Sequence, residues 1–585
     1  MDSPQGSPGS ILNLGKERSL ALVLGSFLFL AFFGLTQTAT HLSITFRPPF
    51  TYSSPGEAYF WLGHALLLFP GACLIGYALS PLLALPLKQL WARIDGLDRK
   101  EKAVALLVGF VIFVALARIL HSFVMLGFPF TDDENATRFG GQVLAMGKLA
   151  VPAPQPYDAF PHLFLYLRNG MITSFDWPGV LAAWAIAEGT RLGPLVFAVA
   201  AAVPALCLMI ILGRRFSPGY GFMAYALFAF SPMALTLSST THAHLLSRAT
   251  IGVAILLFYL AKERETWGLW ALTGLAAGVS FCVRPIETGF LLLPLGLSAA
   301  ARAFSKKERS VKPALGLLIG CVVPLALFFL YNHAVTGNAF FPPRFSAEGP
   351  SKTLAEGSLW NRFGANTSYN LFMLAIWFLG PVGIILVAFG VLSDKFTKLL
   401  GLGVVGVLLA GLFHDNQGLH AVGPIHYSEC AVPLTIIAVY GLVNIKRWLQ
   451  RRRISLATPA IALGCVLVLG LGVFNFWQCR ALNRQALIQN YVYGFVENGV
   501  RDAGADKAVI LAPQFGSLWL ANEYFRSIGS WVFEWRRARP DLSDKILILH
   551  DLPNVEQELK KQFPDRPFFR LRNSPKAPYL ELTPL

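Results

Sequence analysis

The stretch at 127–139, "GFPFTDDENATRF", follows directly on an apolar run at 103–127, and the join between the two decides the fold. A helix of that length crosses the roughly 30 Å of hydrocarbon in a bilayer. Asp132, Asp133 and Glu134 then stand in a row at the lipid–water boundary. Three adjacent carboxylates repel one another and gain nothing from lipid, which leaves two readings. In one, Thr131 or Asp132 caps a helix over 134–147 and the following acids complement its dipole. In the other, a carboxylate is held at the membrane surface as a general base toward a hydroxyl arriving from the water.

Outward from this join the apolar pattern recurs along most of the chain. Of 585 residues, 54% are hydrophobic and 14% charged. Apolar runs fall at 19–42, 58–85, 103–127, 193–212, 219–237, 246–261, 268–283, 287–303, 313–331, 371–392, 398–413, 429–445 and 457–475. Runs of about 18 residues or more predict a polytopic α-helical membrane protein with about thirteen transmembrane helices. The first 18 residues are Ser-, Gly- and Pro-rich and precede the first run without a small-residue cleavage site, so 1–18 reads as a cytoplasmic tail.

The basic connections "KQLWARIDGLDRKEK", "GRR", "AKER", "SKKERSVK", "SDKFTK" and "KRWLQRRR" come at alternate turns of the chain. The positive-inside rule puts them together in the cytoplasm, with the N-terminus inside and the C-terminus outside. Segments 128–192, 238–248, 332–370 and 414–428 then lie on the outer face. The net charge of +16 is spread over short loops, which fits membrane topology and anionic lipid and speaks against nucleic acid. The seven cysteines are isolated small packing residues without a CxxC pattern.

The outer segment 128–192 carries pieces too short or too mixed to span: 134–147, "FPHLFLYL" and "WPGVLAAWAIAEGTRL". They predict juxtamembrane helices at the outer surface. From about residue 480 the pattern changes. "AVILAP", "ILILHD" and "FFRLR" read as strands and "NVEQELKKQF" as a helix, which makes 476–585 a small extracytoplasmic α/β domain.

Further candidates sit at run ends. "FCVRPIETGF" holds Arg284 and Glu287 between two apolar runs, where an arginine is costly unless paired or functional. Its planar fork suits a phosphate. Arg344 and Arg362 add positive charge in the third outer segment, and His426, Tyr427 and Glu429 precede a span. Arg138 lies off the apolar face of 134–147. His242 and His244 form an HxH pair that reads as plain loop, and no metal ligand is assigned.

Taken in order, the acidic pair with "LAMGKLAVPAP", then "GRRFSPGYGFMAYALFAFSPMAL", "GLAAGVSFCVRP", "LYNHAVTGNAFFPP" and "GPIHYSECAVPL", resemble the bacterial GT-C glycosyltransferases over roughly 103–445. That superfamily includes the protein O-mannosyltransferases, the aminoarabinose transferase acting on lipid A, and the RgtA/B/C/D-like enzymes. The resemblance implies a transmembrane catalytic region at 103–475, preceded by additional spans in 19–102. It implies a polyprenyl-phosphate-linked sugar donor and a glycan, lipid or protein acceptor in the envelope. The site would face outward from the bacterial cytoplasmic membrane.

Carried over, the catalytic acid falls on Asp133 with Glu134, and Asp132 as the alternative. Arg284, Arg344, Arg362 and His426 would hold the donor phosphate, and Arg138, Tyr427 and Glu287 the substrate. The second outer segment has histidines where relatives often have an acid. No cofactor is certain: arginines could hold a leaving monophosphate without a divalent ion, whereas a pyrophosphate donor would favour a divalent metal. The rival expectation is a multi-span transporter or flippase, although the polar residues gather at one face and no repeat is visible.

Overall fold

The computed structural model describes residues 15–44, 62–305, 309–345, 368–411, 419–420, 423–521 and 532–585. Helices dominate. Lys16–Ile44 (α1), Phe69–Asp95 (α2) and Arg99–Ile119 (α3) come first, and a π-helical turn at Leu120–Val124 extends α3. The first large loop holds α4 (Asp132–Ala145), β1 (Val151–Pro152), β2 (Leu165–Arg168), β3 (Met171–Ser174) and α5 (Pro178–Gly189). Then follow α6 (Leu195–Arg215), α7 (Pro218–Ala229), α8 (Pro232–Leu235), α9 (Ala243–Arg264), α10 (Trp267–Val283), α11 (Pro285–Ala300) and α12 (Lys312–Thr336). The helical part ends with α13 (Ser368–Phe378), α14 (Pro381–Gly390), α15 (Lys395–Ala410), α16 (Ala431–Arg451) and α17 (Ala457–Asp502), with the short antiparallel pair β4 (Leu419–His420) and β5 (Gly423–Pro424) ahead of α16.

Among the described residues nine helices are long and apolar enough to cross a membrane, or ten if Pro218–Ala229 and Pro232–Ser239, bent by 64°, form one span. The sequence predicts about thirteen, and three runs fall short for local reasons. Helix α10 has 17 residues and α15 has 16. The run at 371–392 is divided at Gly380, whose φ of +68° suits glycine alone, and Pro381 opens a new helix. The short α10 is nevertheless fixed in the bundle by close approach to α12. A Cβ on Gly274 or Gly320 would collide with the backbone carbonyl of Leu317 or Ala271, the small-residue contact that lets membrane helices pack tightly.

The bundle has two polar poles. At one, Gly219 N–H donates to Asp95 Oδ1 at 2.8 Å, Arg215 Nη2 to Asp394 Oδ2 at 3.2 Å, Arg214 Nη2 to Glu263 Oε2 at 2.7 Å and Arg302 Nη1 to Glu265 Oε1 at 2.6 Å. These groups belong to the short basic connections, which the fold thus gathers at one end. The first large loop and the C-terminal domain gather at the other.

In that loop the expectation of helices holds for α4 and α5 and is corrected between them. "FPHLFLYL" contributes β2, which pairs antiparallel with β3 (Tyr166 opposite Thr173), and β1 completes a three-stranded sheet in the order β1-β3-β2. Alternation explains it: Leu165 and Ile172 pack under α4 with Ala136, Phe139 and Val143, a pattern a strand satisfies over four residues.

Helix α17 runs unbroken for 46 residues, roughly 69 Å at 1.5 Å per residue. Its first half is apolar enough to span; its second half carries the C-terminal domain, with Val492, Val496 and Val500 packed against Ile510, Ala512 and Phe515. That domain has β6 (Ala508–Ala512), β7 (Ile546–His550), α18 (Val555–Gln562), β8 (Phe568–Asn573) and β9 (Leu580–Pro584). The sheet order is β7-β6-β8-β9, parallel except for β9. Every residue of the central β6 is buried, as the apolar "AVILA" requires of an inner strand covered on both faces.

Candidate active site

The loop after α3 is tied down by side chains of α17. Asn483 of α17 donates to the carbonyls of Phe123 (2.9 Å) and Val124 (3.1 Å), and Gln489 to that of Pro129 (3.0 Å). Thr131 then caps α4, and Glu134 reaches back to accept from the N–H groups of Phe130 (2.6 Å) and Thr131 (3.1 Å). Its other oxygen accepts from Thr241 N–H (2.7 Å) and Thr241 Oγ1 (2.8 Å), so one carboxylate ties the start of α4 to the turn before α9.

The acidic triplet therefore splits three ways. Glu134 is saturated with hydrogen bonds. Asp132 is fully buried and faces the C-terminal domain, accepting from Phe533 N–H at 2.8 Å and Glu534 N–H at 3.4 Å. Burial pushes its carboxyl up to about 7 against the opposing pull of those bonds and of Arg537. Asp133 makes no side-chain hydrogen bond with any described residue and looks into a pocket. Burial raises its carboxyl above the usual range, with Asp176 adding to the rise and Arg344, His242 and Arg284 opposing it.

The pocket has a volume of about 390 Å³ including its mouth. Asp133, Glu134, Thr137, Asp176, His242, Ala243, His244, Arg284, Arg344, Ile425 and His426 line it. Arg284 sits at the break between α10 and α11, where Pro285 starts the new helix. Its guanidinium pairs with Glu287 and lies 3.6 Å from Glu429 Oε1 through Nε, and Nη2 approaches His426 Nδ1 at 3.5 Å. Glu429 is fully buried and also bonds His244 Nδ1 at 2.9 Å. Arg284 is thus a cation already compensated by two acids. Arg344 differs. It stacks over Phe175 (4.5 Å to the ring centre), touches Asp176 Oδ1 at 3.3 Å and keeps part of its guanidinium exposed.

Of the residues the sequence singles out, Asp133, Glu134, Arg284, Arg344 and His426 converge on the pocket. Asp132, Arg138, Glu287 and Tyr427 do not line it. Arg138 is exposed and clasps Glu188 of α5 at 2.9 Å, Glu287 is spent on Arg284, and Tyr427 is buried in the bundle. Arg362 lies outside the described residues.

The structure adds Asp176, His242 and His244. The HxH pair is no plain loop. Both rings are buried; His242 Nε2 bonds Thr131 Oγ1 at 2.9 Å and its Nδ1 bonds Thr240 Oγ1 at 3.0 Å. Asp176, one residue before the Trp-Pro that opens α5, supplies a second acid from the first loop instead of the second. Its signal in the sequence was a lone acid in "SFDWPG", at the junction of a strand and a helix.

No family model and no curated protein sequence matches the chain. Solved structures do. ArnT from Cupriavidus metallidurans, bound to undecaprenyl phosphate, aligns at 12% identity over 81% of this chain and 97% of its own, with a TM-score of 0.50. The chain shares the fold of that structure. The arabinofuranosyltransferase AftD from Mycobacteria aligns at 15% identity over 78% of this chain and 32% of its own, with a TM-score of 0.43. The Archaeoglobus fulgidus oligosaccharyltransferase aligns at 13% identity over 73% and 64%, with a TM-score of 0.37. Within this fold the pocket lies at the pole where the first large loop meets the bundle.

Proposed function

We propose that the protein is a membrane glycosyltransferase that moves a sugar from a polyprenyl-phosphate donor to an acceptor at the outer face of the bacterial cytoplasmic membrane. The observation that carries this reading is Asp133: a carboxylate of raised proton affinity, without a hydrogen-bond partner among the described residues, facing a pocket that also holds Arg344 and Arg284. A base whose pKa is drawn toward the working pH is the better proton acceptor.

In the reaction, the acceptor's hydroxyl or amine attacks the anomeric carbon and gives its proton to Asp133. The bond from that carbon to the phosphate oxygen breaks, and the lipid phosphate leaves with the electron pair. Arg344 is the primary phosphate contact, because Arg284 is largely neutralised by Glu287 and Glu429. His426 lies beside Arg284 and completes the phosphate side. The exposed pair Phe340 and Phe341, just before Arg344, offers apolar surface for the first isoprene units. With arginines on the leaving group the step is written without a metal. The N-terminus is cytoplasmic and the C-terminal domain extracytoplasmic in this reading, which fits the gathering of basic connections at the opposite pole.

The test is transfer of radiolabelled sugar from polyprenyl phosphates in membranes carrying the protein. Wild type should label an envelope acceptor and release polyprenyl phosphate, and Asp133→Asn should do neither at equal expression. Full activity in Asp133→Asn would remove the base.

A further inference from the structure

Away from the pocket, the C-terminal domain meets the first large loop through a cluster of three side chains. His162 follows the short helical turn Tyr157–Ala159, His550 ends β7, and Glu534 lies on the segment that docks on Asp132. Their ligand atoms all lie within 4.8 Å of one another. His550 and Glu534 are buried, and His162 is partly so.

The hydrogen bonds around the cluster fix its chemistry. His162 Nδ1 lies 2.9 Å from the carbonyl of Phe160, and His550 Nδ1 lies 3.2 Å from that of Asp158. A carbonyl only accepts, so each Nδ1 donates, which leaves Nε2 as the ring atom that can offer a lone pair to a cation. His550 Nε2 and Glu534 Oε2 are both buried without a hydrogen bond among the described residues, 3.8 Å apart. That is too long for a hydrogen bond and close to the roughly 3.4 Å between two ligands of one tetrahedral ion with 2.0–2.1 Å bonds. Two unpartnered inward atoms on a carboxylate and an imidazole are costly by themselves and are satisfied together by one cation. The backbone-carbonyl partner on the far nitrogen is the usual support of a metal-ligating histidine. Arg537 places positive charge near Glu534, and the buried carboxylate of Asp132 balances it.

We propose that His162, His550 and Glu534 bind a zinc-class divalent ion that clips the first large loop to the C-terminal domain. Two imidazoles and one carboxylate are a ligand set that suits zinc, with a fourth position open to water at the half-exposed edge. The loop is already seated there by Ala159 and Phe160, which pack with Val509, Leu511 and Leu547 of the domain. The ion would lock that seating. This site is separate from the pocket and does not depend on sugar transfer.

The test uses the full chain in detergent, stripped with chelator, loaded with zinc chloride, gel-filtered and assayed for metal by mass spectrometry. Wild type should retain one equivalent more than His162→Ala and His550→Ala, and zinc should raise the melting temperature of wild type alone. Zinc absorption-edge spectroscopy of the wild type should show two imidazole nitrogens and a carboxylate oxygen, a readout that stands even if a variant folds poorly. Equal zinc in wild type and both variants, or stabilisation by inorganic phosphate instead of zinc, would overturn the assignment.

Discussion

The two poles of the bundle use charge in opposite ways. At the basic pole, ion pairs are exposed: Arg214 and Glu263 keep 45% and 33% of their side-chain surface in solvent. At the site pole, Arg284 and Glu287 keep 9% each, and Glu429 none. Exposed pairs contribute about 0–1 kcal/mol and are readily replaced. Buried ones cost several kcal/mol per ion to desolvate and are weak evidence for stability. Among the described residues the buried ion pairs of Arg284 gather at the pocket and the exposed pair of Arg214 lies at the basic pole, which is the division the proposed function requires.

That contrast can be broken most sharply at Asp133. Its replacement by Asn should lower transfer by about 10²–10⁴-fold while leaving thermal unfolding unchanged or slightly higher, because burial disfavours the charge it removes. The base must be ionised, and its pKa is raised, so activity should fall with acidification at a pH above the ordinary aspartate range. A pH–rate profile with its acid limb near the usual value would count against Asp133.

Next comes Glu429→Ala, which takes one of two acids from Arg284 and the carboxylate partner from His244 and should cost about 3 kcal/mol of stability, read as a large drop in melting temperature in detergent. Arg344→Ala should leave the fold intact and raise the donor KM by about tenfold, about 1.4 kcal/mol. An unchanged KM would return the phosphate to Arg284. At the basic pole, Arg214→Ala should change stability by no more than about 1 kcal/mol, and a larger loss would erase the contrast between the poles.

Asp132 gives the comparison a pH axis. Its folded pKa of about 7 lies above the ordinary 3.8, so the protonated form is favoured in the folded state. The stabilisation is fully present below about pH 4 and lost as pH rises through about 7. Exchange protection of the Phe533 and Glu534 amides, corrected for intrinsic rate, should therefore weaken over that window. Asp132→Asn should flatten the dependence.

Elements whose identity rests on local pattern were legible in the sequence. The apolar runs, α4, α5 and the strands β6, β7 and β8 fall where periodicity puts them. So does the break at Arg284-Pro285. What depended on partners far along the chain was not legible. Three neighbouring acids look alike until Thr241 claims Glu134 and Phe533 claims Asp132, contacts 107 and 401 residues away. Arg138 looked available until Glu188 took it, and the HxH pair looked like loop until the bundle buried it. Three apolar runs counted as spans because composition is blind to a left-handed glycine or a 16-residue limit.

The unbroken α17 has a mechanical consequence. About 30 Å of its length suffices for the bilayer, so a stiff arm of roughly 35–40 Å projects beyond it with the C-terminal domain attached. Membrane helices answer a change in lipid thickness by tilting. A tilt of about 10° would swing the far end of such an arm by roughly 6 Å. The domain that grips Asp132, one residue from Asp133, would swing with it, making the lipid's own thickness a lever on the start of α4.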